Sequence, residues 1–194
     1  MLRDLFNQFA RKEDDTPGDT FMKFLTLSVS VCCCICGALW FLLYWKIFGL
    51  GLTAYLPLSF VIIVGASIVL AHVLKNHKIL AFSQVFCITW ISALISWSIG
   101  SIENSGLVIA WSFLGPVSAM IFFNKTRALG MMVIWISILL VSAIFEPQLS
   151  KEVVEVPNSI RSLFYIMNVG ASTGVIFLAL VFFSEFQHNK GGTA

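Results

Sequence analysis

The chain has 194 residues, of which 58% are apolar and only 11% charged, with a net charge of +2 at neutral pH. Soluble domains carry about a quarter charged residues, so this composition excludes an ordinary soluble enzyme, and nothing in it calls for a nucleic-acid partner. Five cysteines, four of them between residues 32 and 36, do not make a disulfide framework.

Residues 1–19 are read as a cytoplasmic N-terminal segment. They are not a signal peptide, because the first long apolar run starts late, is too long, and lacks a small-residue cleavage site. Leu2, Leu5, Phe6 and Phe9 recur at helical spacing with Arg3, Arg11 and Lys12 around them. That pattern fits a short helix lying in the membrane interface; a frayed terminus is the alternative. The acidic, turn-rich stretch from Glu13 to Asp19 would hinge this segment to the first span.

Residues 20–184 then carry six apolar runs, at 24–44, 55–74, 79–99, 107–123, 128–144 and 163–183. A spanning helix needs about 20 apolar residues, with a usual range of about 17–25. Lipid cannot hydrogen-bond a bare backbone, and the runs lack the alternation of barrel strands. The expected fold is therefore all-α, an integral membrane bundle of six transmembrane helices. Spans four and five are short and should extend by a turn into flanking polar residues. Residues 185–194 form a polar cytoplasmic tail, read as the start of a truncated linker to an effector, with a stand-alone module as the alternative.

Orientation follows from lysine and arginine. Nine of them (Arg3, Arg11, Lys12, Lys23, Lys75, Lys78, Lys125, Arg127 and Lys190) fall on one side, and three (Lys46, Lys151 and Arg161) on the other. Both termini are expected to be cytoplasmic, in a multi-pass protein of a cell membrane such as the bacterial inner membrane. Trp40, Tyr44, Trp45, Tyr55, Trp97, Trp111 and Tyr165 fall near the outer surface, where amphipathic rings prefer to sit.

The residues that could carry chemistry are few. Cys32, Cys33, Cys34 and Cys36 could offer sulfur to a soft metal, but they lie deep in hydrocarbon, and free cysteine packs as a small hydrophobe. His72, His77 and His188 do not pair across helices as haem ligands would. No metal or cofactor is expected. Ionisable groups are absent from the span interiors, where pumps and ion-coupled transporters place them. Asn168 and Gln84 are the most polar intramembrane side chains, as interhelical glue or as ligand-binding groups. Gly170 and Gly174 bracket a small-residue element that lets backbones approach, within one subunit or between two. Gly115-Pro116 should kink or open the fourth helix.

From Gly106 onward the order Gly106-Leu107, Ala110-Trp111-Ser112, Gly115-Pro116, Phe122-Phe123, Ala128, Trp135, Pro147 and Met167-Asn168 resembles the six-helix N-terminal membrane domain of bacterial class III adenylate/guanylate cyclases. Six-helix quorum-sensing histidine kinase receptors are a looser likeness. The cyclase resemblance implies a sixth helix that continues into a signalling coiled coil and a cytoplasmic cyclase domain. It also implies a parallel homodimer, because class III active sites form between two catalytic domains. The chain itself holds no catalytic domain, so it is not expected to be an enzyme and no catalytic residue carries over.

The resulting expectation is a membrane sensor that biases a cyclase through its sixth helix in cAMP or cGMP signalling. The candidate sensing site, for a lipophilic small molecule, comprises Trp97, Glu103, Asn104, Trp111, Arg161, Tyr165 and Asn168, in the outer half of the bundle. Aromatic walls with a few convergent polar groups suit small ligands; an aromatic belt plus a packing asparagine is the plainer reading. Asn168→Leu and Trp111→Ala are expected to change the response while leaving folding largely intact. The alternatives are a small transporter or lipid-handling protein, and a passive dimerising anchor.

Overall fold

A computed structural model describes residues 9, 10, 12–149, 151 and 156–191, with side chains placed through residue 184. The postulated interfacial helix falls mostly on residues 1–8 and lies outside the described residues.

Helix α1 runs from Pro17 to Phe48, α2 from Leu52 to Val73 and α3 from His77 to Ile99. A 3-10 segment, Val108–Phe113, leads into the short α4, Leu114–Phe122; α5 spans Lys125–Leu149 and α6 spans Asn158–Gly191. Five of these helices are long and apolar enough to cross a membrane, the mark of a multi-pass membrane protein.

The ends of the helices follow from capping. Thr16 caps α1 by accepting from the Asp19 backbone N–H, while the Asp19 side chain accepts from the Thr16 backbone, with Pro17 just inside the helix. This capping box starts α1 seven residues before the apolar run at 24, because the box needs polar residues that an apolar count cannot see. Asn76 caps α3, and Gly100 ends it in the left-handed conformation that glycine adopts freely. The first and last turns of α5 and α6 likewise extend beyond 128–144 and 163–183 into polar flanks.

The fourth span differs more. In place of one α-helix over 107–123, the chain makes six residues of 3-10 helix and then nine of α-helix. Pro116 is the third residue of α4, where its missing N–H costs little. In a continuous α-helix begun at 107 it would have lain in the interior and removed a hydrogen bond, and the α-helix instead begins just ahead of it.

Helix α3 is central, buried along most of its length against α2, the 3-10 segment, α4 and α1. Helix α5 packs chiefly on α4 and leaves almost its whole circumference open. Polarity runs inside out: Ser30, Gln84, Thr89, Ser92, Ser96, Ser112 and Asn168 are buried, whereas Ile62, Val69, Phe82, Met120, Ile144 and Ile166 are exposed. A water-soluble monomer rarely leaves such continuous apolar surface.

At the end where α1 begins, Phe9 and Ala10 are buried, with Phe9 stacked on His72. Lys23 donates to the Ala10 carbonyl at 2.7 Å and pairs with Asp15 at 2.6 Å. The Lys12 backbone N–H and then the Lys23 ammonium hold the Asp15 carboxyl below its usual range.

Candidate functional site

The connection between α3 and the 3-10 segment is the irregular backbone of residues 100–107, and it is gripped from several sides. Gly106 and Leu107 both have positive φ, +59° each, which turns the chain inward. Gly106 passes so close to α6 that a Cβ there would fall on the Phe164 Cβ and within 2.8 Å of the Tyr165 backbone nitrogen. Only glycine meets both demands.

That crossing places the Ser105 and Gly106 carbonyls beside Asn168, which sits about 15 Å into α6 at about 1.5 Å per residue. The Asn168 Nδ2 donates to both, at 3.2 and 3.0 Å. Its Oδ1 accepts from the Trp40 indole of α1 at 2.9 Å and from the Trp111 indole at 3.1 Å. The two indoles meet edge to face at 6.4 Å. An asparagine amide offers two donors and an acceptor oxygen with two lone pairs, and all four are used here. Asn168 is fully buried. The amide therefore joins α1, the α3–α4 connection, the 3-10 segment and α6 at one point.

Around this point the other site residues divide. Arg161, two turns back on α6, pairs with Glu103 at 2.8 Å on the open surface. Tyr165 lies half-buried where α6 meets Gly106, and the Asn104 backbone N–H donates to Ser101 Oγ at 2.9 Å. Trp97 turns away from the group, donating its indole N–H to Ser142 of α5 at 2.8 Å. Beside it, the Glu146 carboxylate of α5 accepts from the Ile102 backbone N–H at 3.0 and 3.2 Å. The connection is thus tied to α5 through Glu146 and to α6 through Glu103 and Asn168.

Gly115 is packed so tightly that a Cβ would land on Thr89 Oγ1 of α3. Gly170 and Gly174, by contrast, have nothing within 4 Å of where their Cβ atoms would be. Both lie on an open part of α6.

The aromatic residues expected at the outer surface separate into two sets. Trp45 and Tyr55 are exposed, but Trp40, Tyr44 and Trp111 turn into the bundle. Height along a helix could be read from position, but the direction of the Trp40 and Trp111 rings depended on an acceptor contributed from 128 and 57 residues away. Trp40, Ser142 and Glu146 had no assigned part in the site for this reason. Their signal was a polar or amphipathic side chain at the same depth as Asn168 or at the same end as the connection.

Trp40 and Trp111 also wall a small cavity of about 40 Å³ among α1, α2, α3 and the 3-10 segment, lined further by Cys33, Phe60 and Ile91. One water needs about 10–15 Å³, so the space admits a slender group, and its walls are almost wholly apolar. A molecule entering it touches the indoles that hold Asn168. Among the described residues no group of three His, Cys, Asp or Glu side chains could hold a metal ion. The class of protein defined by the fold is a helical, multi-pass membrane bundle with a buried polar node. No family model, curated protein or solved structure matches the chain.

Proposed function

We propose that the chain is a membrane-embedded sensory and regulatory domain, with both termini cytoplasmic, that biases a dimeric cytoplasmic nucleotide cyclase through α6. One observation carries the proposal. Three of the residues on which the cyclase resemblance rests, Gly106, Trp111 and Asn168, are joined, together with Trp40 and Ser105, in a single hydrogen-bonded node on α6. Helix α6 has 34 residues, about 51 Å at about 1.5 Å each, which exceeds a hydrocarbon core of about 30 Å. A displacement at Asn168 can therefore be delivered beyond the bilayer by a continuous helix.

The amide of Asn168 has no free capacity, so a stimulus acts on its partners. An apolar ligand in the cavity beside Trp40 and Trp111 shifts the indoles, and one packing of the node is then favoured over another. Coupling requires that the ligand bind those packings unequally.

The test fuses a class III cyclase catalytic domain after α6 and reads cAMP in a cyclase-deficient bacterium. Trp40→Phe and Trp111→Phe each remove one indole N–H while keeping an aromatic wall, and are expected to change cAMP output. An output unaltered by either variant, and reproduced when an unrelated dimerising helix replaces the bundle, would leave a passive anchor as the answer.

A further inference from the structure

A second, larger recess lies away from the Asn168 node, between the N-terminal halves of α3 and α5. Its volume is about 450 Å³, within the about 300–1,000 Å³ of small-molecule sites. The floor is apolar: Val85, Met131 and Ile134 line it, and Phe82 and Phe86 stack along one wall at 6.3 Å while remaining 63% and 52% exposed. Gly130 opens the opposite wall, since nothing lies within 4 Å of where its Cβ would be. The recess runs from Arg127 to Ile134, about 10 Å along α5 at about 1.5 Å per residue.

The mouth is cationic. Arg127 lies at the rim with its guanidinium 5.4 Å over the Phe123 ring, and it has no carboxylate partner among the described residues. Lys125 and Arg127 occupy the first turn of α5, which contains no acid. Cations at a helix N-terminus oppose the macrodipole, at about 0.3–1 kcal/mol each. An anion at the same place reverses that sign, because it meets the cations and the positive end of the helix dipole together. An apolar slot about two turns deep, with an unpaired guanidinium at its mouth, has the polarity of one ligand class.

We propose that this recess binds an anionic phospholipid, with one acyl chain along Phe82 and Phe86 and the headgroup phosphate on Arg127. The inference rests on the reading of the chain as a membrane protein. Lipid held there bridges α3 to α5, whose contacts with α3 are otherwise few. It would thereby fix the one helix that the rest of the bundle leaves most open.

The chain is extracted in detergent, mixed with phosphatidylglycerol, phosphatidylcholine or inorganic phosphate, and examined by native mass spectrometry. Phosphatidylglycerol is expected to be retained over phosphatidylcholine, and inorganic phosphate not at all. Arg127→Gln should lower that preference about fivefold, which corresponds to about 1 kcal/mol for one basic side chain at an anionic headgroup. Gly130→Leu fills open space, so it should keep the native melting temperature and lose both lipids. The proposal is overturned if Arg127→Gln keeps the native preference, if inorganic phosphate binds as well as the lipid, or if Gly130→Leu retains lipid. It is also overturned if Gly130→Leu converts dimer to monomer with lipid retention unchanged, since a second copy then covers the recess. Carbonate washing of cell membranes tests the underlying reading separately: native chain released into the soluble fraction removes that reading, and the lipid site with it.

Discussion

Asn168 is held by four hydrogen bonds from three separate parts of the chain, and that gives it a structural part beside the proposed signalling one. Replacing it by leucine strands two indole N–H groups and two loop carbonyls, and a buried polar group left unpaired costs about 1–3 kcal/mol. The expectation that Asn168→Leu leaves folding largely intact does not survive this geometry. Trp111→Phe is the gentler probe. It removes one donor and leaves Oδ1 with Trp40, so the expected loss is near the about 0.6–1.7 kcal/mol measured for hydrogen bonds between membrane helices. Thermal unfolding in detergent should therefore rank native above Trp111→Phe, and Trp111→Phe above Asn168→Leu. Equal midpoints for the two variants would mean that the amide is not shared between the indoles. Gln84 of α3 follows the same rule farther along α1: its Oε1 accepts from Ser30 and its Nε2 points to Cys33 Sγ at 3.7 Å. Here too an intramembrane amide is spent on neighbouring helices.

At the level of the element, the fourth span is where position in sequence and position in space separate. Its apolar content is that of a spanning helix, yet it is divided into a 3-10 segment and a nine-residue α-helix. Gly115 sits at the division because α4 there comes against Thr89 of α3 without room for a methyl group. Gly115→Ala is expected to destabilise the bundle by about 1–3 kcal/mol, the usual cost of overpacking, whereas Gly130→Ala on exposed α5 should be neutral or mildly stabilising. Melting midpoints of the pair decide it: if Gly115→Ala melts no lower than Gly130→Ala, the close approach is not required. The apolar runs were legible because hydrocarbon selects residue type directly, and five of them return as long apolar helices. Their polar first and last turns were not, since caps such as Thr16 and Asp19 carry no hydropathy signal. The site was legible as depth alone. Trp97, Trp111 and Asn168 could be placed at one end of the bundle, but Trp97 went to Ser142 of α5 while Trp40 went to Asn168. Which indole faces which acceptor depends on helix rotation and neighbour order, and a single sequence does not encode those locally.

For the whole molecule, the proposed orientation and pairing are separate claims. In a cysteine-free background, Glu103→Cys should label from outside intact cells and Lys125→Cys only after permeabilisation; external labelling of Lys125→Cys would invert or break the six-span topology. Pairing concerns α6. A Cβ at Gly170 or Gly174 would meet nothing within 4 Å in its own subunit, so the close approach that small residues permit is unused within the bundle. Val169, Phe177 and Leu180 on the same helix are exposed as well. Two α6 helices could come together along such a face, and a cyclase regulated through α6 requires its two catalytic domains to be neighbours. Association of membrane helices draws on packing rather than on the hydrophobic effect, because lipid tails are as apolar as the side chains. A bulky residue at the point of closest approach should then abolish pairing without harming the fold. Gly170→Leu and Gly174→Leu enter open space in the subunit, so their melting midpoints should match the native chain while the mass in nanodiscs falls from dimer to monomer. Native chain that is already monomeric across a wide concentration range, or leucine variants that remain dimeric, would remove this face of α6 from the proposed assembly.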